Sequence, residues 1–363
     1  MKKIVAAVLC AALLLALAAC GGENPSTLPD PDAETTPTPA ATSAPTPSPT
    51  PEPVTDPLSG EPIDEDISAK RPWAVMHNNL KQALPQRGVS QAEILYEIPA
   101  EGGVTRMMGI YTDISDVEAL GSMRSLRPYY AEVAFSYDGI IVHAGGSEAA
   151  YSLVAETGWD HLDGVRETYD SKPFERDPNR MGAGTEHSLF ANGPKLILAA
   201  EERGFDLEHE GGSYDYGLSF TDDAAAQCSG DAETARINFN TFKYTSFEYN
   251  ADEGVYYATQ YDAPYIDETS GEQLSFANLL FLQTDISIID SYGRLQVRLN
   301  GEGNGWFVSG GRWTEITWER SEEGGAFHYY LPDGSELALG VGHTYVGVIG
   351  SDYGYSVELG SEE

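Results

Sequence analysis

Three arginines and two histidines stand in patterns that can do chemistry. In Gly121-Ser122-Met123-Arg124-Ser125-Leu126-Arg127-Pro128, Ser125 can cap a helix whose first turn accepts Pro128. Unpaired backbone N–H groups would then lie beside the guanidinium forks of Arg124 and Arg127, with Arg106 from a nearby strand as a third. That combination holds phosphate, sulfate or carboxylate, because a helix mouth carries partial positive charge and a guanidinium donates two parallel hydrogen bonds. Val142-His143-Ala144-Gly145-Gly146-Ser147 reads as strand, glycine turn and helix start. Gly145 and Gly146 let backbone approach a ligand, Ser147 caps the helix, and His143 suits acid–base work near neutral pH. His187, in Gly184-Thr185-Glu186-His187-Ser188, is a further candidate in a polar loop. The opposing arrangement is internal neutralisation, with Glu97 or Glu101 paired to the arginines.

Other chemistry finds less support. Gly-Gly-Ser is not the Gly-x-Ser-x-Gly elbow of hydrolases, so Ser147 reads as a cap and not as a nucleophile. His77, His143 and His187 have no ligand pair at helical or finger spacing, so neither a metal nor a cofactor is expected. No catalytic carboxylate pair can be picked from 57 acidic residues. Trp306, Trp313 and Trp318 read as core ahead of a platform for sugar rings.

The elements that must position these groups have two textures. In the first half, strands are expected over 71–78, 94–99 and 104–111, the last two joined by the turn Ala100-Glu101-Gly102-Gly103. Ser90-Gln91-Ala92-Glu93 reads as a capping box. Helices are expected over 125–137, from Ser147 to Gly158, and over 194–203 with Gly204 as its C-terminal cap, with a short strand at 139–143. After about Asp231 the chain turns to short aromatic and β-branched runs broken by glycines, such as Arg312-Trp313-Thr314-Glu315-Ile316-Thr317-Trp318. Such alternation suits antiparallel sheet with one wet face. The expected class is therefore α+β: an N-terminal α/β module over 61–208, a linker over 209–230, and a β-rich, mainly antiparallel C-terminal module over 231–355.

Upstream, Lys2 and Lys3 precede an apolar run that closes on Leu17-Ala18-Ala19-Cys20. Residues 1–20 thus have the grammar of a secretory signal ending in a lipobox, with Cys20 as the acylated residue. Cys10 is removed with the signal, so Cys228 is left without a disulfide partner. Residues 21–60 are rich in Pro, Thr and Ser, as in Thr36-Pro37-Thr38-Pro39, and are expected to form a disordered tether. Stretched at ~3 Å per residue it would reach about 100 Å. The net charge of −36 repels nucleic acid and anionic polymers over the general surface. An anion must therefore find a local cationic pocket.

Several of these stretches carry a resemblance. Arg71-Pro72-Trp73-Ala74-Val75-Met76 with Asn78, Leu84-Pro85-Gln86-Arg87-Gly88, Ala92 to Glu97 and Glu101 to Arg106 are similar to the YerB-like family of bacterial lipoproteins. So are Gly121 to Tyr129, Val142 to Ser147, Asn304-Gly305 through Trp318, Asp333-Gly334 and Gly342 to Tyr345. The family joins an N-terminal and a C-terminal domain of unknown function, so the resemblance implies this two-part body without implying an activity. Two stretches depart from the family pattern. Thr185-Glu186-His187-Ser188 keeps the histidine of a Pro-His-Asn-like stretch but not its neighbours, and Ser122 to Arg127 keeps the arginines of Pro-Val-Arg-Ser-Ala-Arg.

The reading that follows is a non-catalytic lipoprotein on the extracytoplasmic face of a bacterial cell membrane. Its expected ligand is anionic or wall-associated, held by Arg106, Arg124, Ser125, Arg127, His143, Gly145, Gly146, Ser147 and His187. The competing readings are a hydrolase or transferase of cell-wall polymer with a histidine acid–base group, and a scaffold for envelope proteins.

Overall fold

Strands β1 (Trp73–Asn78), β2 (Ile94–Pro99) and β3 (Thr105–Tyr111) are buried along their whole length. Strands covered on both faces need apolar residues at successive positions, which is why these runs do not alternate. The computed structural model describes residues 53–321, 324–352 and 354–361. The signal segment, Cys20 and residues 21–52 of the expected tether lie outside them.

Helix α1 (Pro128–Phe135) and strand β4 (Ile140–His143) follow, then α2 (Glu148–Thr157), strand β5 (His161–Asp163) and α3 (Gly193–Arg203). Ser147 caps α2 by accepting from the Ala150 amide at 3.2 Å, and Gly158 and Gly204 close α2 and α3 in the left-handed conformation. The later half supplies β6 (Thr234–Asn238), β7 (Tyr244–Asn250), β8 (Val255–Gln260), β9 (Asn278–Thr284), β10 (Gly301–Ser309), β11 (Arg312–Arg320) and β12 (Thr344–Gly350).

One eleven-stranded sheet runs Gly230–Asp231, β11, β10, β9, β12, β2, β3, β1, β4, β5, with His328–Tyr330 beside β11. Both halves of the chain contribute to it. The join is parallel: β12 pairs with β2 from Ile94↔Thr344 and with β9 from Asn278↔Thr344. Antiparallel pairing prevails elsewhere in the later half, and these parallel contacts go to strands buried on nearly every residue. Strands β6, β7 and β8 form a second sheet with Ser356–Gly360 at its edge. Burial alternates in β6 and β8, and Ala235, Ile237, Phe247 and Tyr256 pack onto Leu95, Met107, Phe281 and Tyr345 of the large sheet. The fold is mainly β within the α+β class. Trp318 is fully buried, whereas Trp306 and Trp313 are partly buried.

A buried charge cluster ties the halves together. Glu97 of β2 accepts from Asn79 at 2.8 Å, Thr105 at 2.6 Å, Thr245 at 2.7 Å, Gln260 at 3.1 Å and Tyr345 at 2.8 Å. Lys243 Nζ lies 3.1 Å from the same carboxylate and donates to Gln260 at 2.7 Å.

Two local expectations are corrected. The helix expected from Ser125 starts at Pro128, and Arg127 occupies the cap position without a side-chain bond. Residues ahead of it are drawn instead into backbone pairing with β1 and the glycine turn. Ser90 sits inside a 3-10 turn, Val89–Gln91, and donates from N and Oγ to Asp267, so no capping box forms with Glu93. The folded body also begins before residue 61: Asp56, Leu58 and Ser59 are buried, with Leu58 in the main core. The stretch 209–230 is packed too, burying His209, Tyr216 and Cys228.

Candidate functional site

Parallel strands β1, β4 and β5 end at Asn78, His143 and Asp163, beyond the register pairs Val75↔Val142 and His143↔Asp163. The carboxyl ends of parallel strands are where open α/β sheets gather ligands. The segment 122–127 is zipped into this edge. Asn78 N donates to Ser122 O at 2.8 Å, Arg124 N to Met76 O at 3.2 Å, Ala144 N to Arg124 O at 3.0 Å, and Leu126 N to Gly145 O at 2.9 Å. Every candidate from the sequence therefore lies on strands or loops at this edge, with Arg106 reaching it from β3.

They do not all face outward. Arg106 is 7% and Arg127 8% exposed, and both converge on Glu101. Arg127 Nε lies 3.1 Å from Oε2 of Glu101 and its Nη2 bonds Oε1, while Arg106 Nη2 lies 3.1 Å from Oε1. Their remaining donors reach backbone, Arg106 to Ser125 O and Arg127 to Leu126 O. Burial alone would push the Glu101 carboxyl up, but the hydrogen bond from Arg127 and the charge of Arg106 hold it at about 2. Two adjacent guanidinium groups taken from water require an anion, and the turn between β2 and β3 supplies it. This corrects the expectation of three cations open together.

Arg124 differs. It is partly buried, and among the described residues its guanidinium has no hydrogen bond and no carboxylate at ion-pair distance. Burial pulls its pKa below the ordinary value, and the charge of Glu186 opposes that.

His187 stands close enough to feel that charge. Its ring is buried, and Asn78 Nδ2 lies 2.9 Å from Nδ1. Asn78 is oriented by its other bonds: Oδ1 accepts from Leu80 N at 3.2 Å and Nδ2 donates to Glu186 O at 3.3 Å. Nδ1 is thus an acceptor, which places the imidazole proton on Nε2, 3.9 Å from Glu186 Oε1. Burial first, with the Arg124 charge adding to it, keeps this histidine below its ordinary pKa, against the pull of Glu186. A neutral ring with a fixed Nε2–H donor results.

His143 is arranged otherwise. Nδ1 lies 2.8 Å from Gly145 O and must donate, so Nε2 accepts from His161 Nδ1 at 3.0 Å. Burial lowers its pKa to about 4, and with both nitrogens engaged the ring has no free acid–base position. The glycine turn also faces inward: Gly145, at φ +72°, donates its N–H to Asp163 Oδ1 at 2.8 Å. Asp163 further accepts from Val165 N at 2.9 Å and from Tyr151 at 2.5 Å. His143 and Ser147 thus use their polar groups inside the fold, and Gly145, half-buried, holds the 122–127 segment through its carbonyl.

Asn78, Glu186 and Asp163 were missed as site residues. Nothing local marks them, although Asn78 falls within one of the stretches that carry the family resemblance. Among the described residues no helix is long and apolar enough to cross a membrane, and no group of three metal-ligating side chains converges.

Two family models match the chain. Residues 58–206 match the N-terminal domain of a protein family of unknown function, DUF3048, and residues 235–346 match its C-terminal domain. A Bacillus subtilis (strain 168) protein named "Putative lipoprotein YerB" is 27% identical over 296 residues, covering 81% of this chain and 85% of that protein. The crystal structure of the Bacillus subtilis YerB protein superposes with a TM-score of 0.72 at 24% identity, covering 84% of this chain and 99% of the other. That likeness is one of fold.

Proposed function

The chain belongs to the YerB-like family of paired DUF3048 domains, and we propose that it is a lipid-anchored envelope lipoprotein whose body binds an anionic, wall-associated ligand at Arg124. The lipobox at Cys20 and the name of the Bacillus relative support the anchor, and the signal segment supports an extracytoplasmic location. The Pro-rich tether would carry the body off the bilayer and into the wall. One observation carries the binding reading: of the three arginines at this edge, Arg124 alone has no carboxylate at ion-pair distance among the described residues, and His187 near it is held as a donor. A guanidinium and a nearby imidazole N–H suit the oxygens of a phosphate or carboxylate. The site would be non-catalytic, with Glu186 as the neighbouring carboxylate whose charge a ligand must outweigh.

Titration calorimetry of the full chain with inorganic phosphate and with phosphorylated wall-polymer fragments tests this. A charge-assisted contact of ~1.5–3 kcal/mol predicts a roughly ten- to hundredfold loss of affinity in Arg124→Gln. The variant should melt where the parent does, because among the described residues Arg124 has no hydrogen bond or ion pair to lose. Equal binding by parent and variant, or no binding by the parent, would refute the reading. Turnover of the fragments would favour the hydrolase or transferase.

A further inference from the structure

The N-terminal strap, residues 54–63, is the point where the tether meets the body. It forms its own tight loop, with Asp56 N donating to Glu61 O at 2.8 Å and Ile63 N to Val54 O at 2.9 Å. Leu58 anchors it in the core, and Ser59 O accepts from Gly342 N at 2.8 Å. Its remaining attachment is unusual. Thr112 Oγ1 lies 2.8 Å from Asp56 Oδ2 on the strap and also 2.8 Å from Glu93 Oε1 on the body.

One hydroxyl has one hydrogen and can donate to only one of two carboxylates. Both contacts are satisfied together only when a proton is added: one carboxyl donates to Thr112 Oγ1, and Thr112 donates onward to the other. The added proton belongs on Glu93. Asp56 is already an acceptor for two strap amides, Leu58 N at 2.8 Å and Ser59 N at 3.0 Å through Oδ1. Glu93 accepts the Thr112 amide at 3.0 Å and its own backbone amide, and it faces Asp56 across the shared hydroxyl.

We propose that the strap is a proton-gated latch, closed while Glu93 is protonated and released when it ionises and faces Asp56 across Thr112. The charged and titratable groups around it are Asp56 and Glu61 on the strap, His343 ahead of β12, Tyr111 of β3, and Tyr216, which faces Asp56. His343 Nε2 lies 3.8 Å from Glu61, and burial keeps that histidine below its ordinary pKa, so among the described residues no fixed cation offsets the two carboxylates. Burial, with Asp56 repulsion behind it, pushes Glu93 up to about 8, which puts release just above neutral pH. Glu61 and His343 also line an adjoining cavity of about 720 Å³, so release would remove part of its wall.

Hydrogen exchange on the full chain from pH 6 to pH 9.5, corrected for intrinsic rates, tests the latch at the Leu58 and Ser59 amides. The parent should lose at least tenfold protection there between pH 7 and pH 9, while core amides such as Val75 and Tyr96 stay protected. In Glu93→Gln the amide reproduces the protonated pattern, so protection should change less than twofold. Thr112→Val removes the relay and should lower strap protection at every pH. Flat protection in the parent, the same pH slope in Glu93→Gln, or loss of core and strap protection together would each overturn the proposal.

Discussion

Replacing Lys243 by Met probes the cluster that joins the two halves of the chain. Lys243 is 2% exposed and Glu97 is fully buried, so the variant leaves a carboxylate sealed in the interior without its cation. Breaking a buried pair costs ~3–5 kcal/mol, chiefly through the stranded charge. Here the carboxylate keeps donors from Asn79, Thr105, Thr245, Gln260 and Tyr345, each a hydrogen bond to a charged group. Those bonds place the expected loss at the lower end, about 3 kcal/mol. At 2–4 °C per kcal/mol for domains of 150–250 residues, the melting temperature should fall by roughly 6–12 °C. Urea unfolding at pH 7 measures the loss directly, through a lower midpoint with an unchanged slope. Adding Glu97→Gln removes the stranded charge, so the double variant should recover more than half of the loss. A Lys243→Met midpoint within ~1 kcal/mol of the parent, or a double variant as unstable as the two single losses added, would refute the reasoning.

Gly193→Ala should destabilise by ~1–3 kcal/mol despite alanine's better helix propensity. A Cβ there would lie 2.0 Å from Ile114 O and 2.8 Å from Val117 O, both backbone atoms that cannot rotate away, and thermal melting reads the effect. Cys20→Ser should move the protein from the membrane pellet to the soluble fraction; persistence in the pellet would count against the lipid anchor. Glu93, raised from 4.5 to about 8 in the fold, gives stability that is fully present below pH 4.5 and is lost as pH rises through 8. Equilibrium unfolding between pH 5 and pH 9 should therefore show a decline that is shallower in Glu93→Gln.

Local signals had local outcomes. Ser147, Gly158 and Gly204 mark helix ends because a cap hydrogen bond or a left-handed residue is settled within one turn of chain. The strands expected over 71–78, 94–99 and 104–111 form over 73–78, 94–99 and 105–111, where most residues are apolar and all are buried. Ser125 failed as a cap for the opposite reason: its place is set by pairing with β1 and the glycine turn, and by an arginine from β3 on its carbonyl.

The sequence by itself determined the signal and lipobox pattern, the Pro-rich stretch, the family resemblance and which cations could matter, since each depends on residue type and short spacing. Only the tertiary structure decided which of those cations is free. Arg106 and Arg127 are satisfied by one carboxylate that the β2–β3 turn folds back between them, and Arg124 has no such partner among the described residues. Charge neutralisation acts through distances of a few ångströms between residues far apart in the chain, and those distances are set by packing.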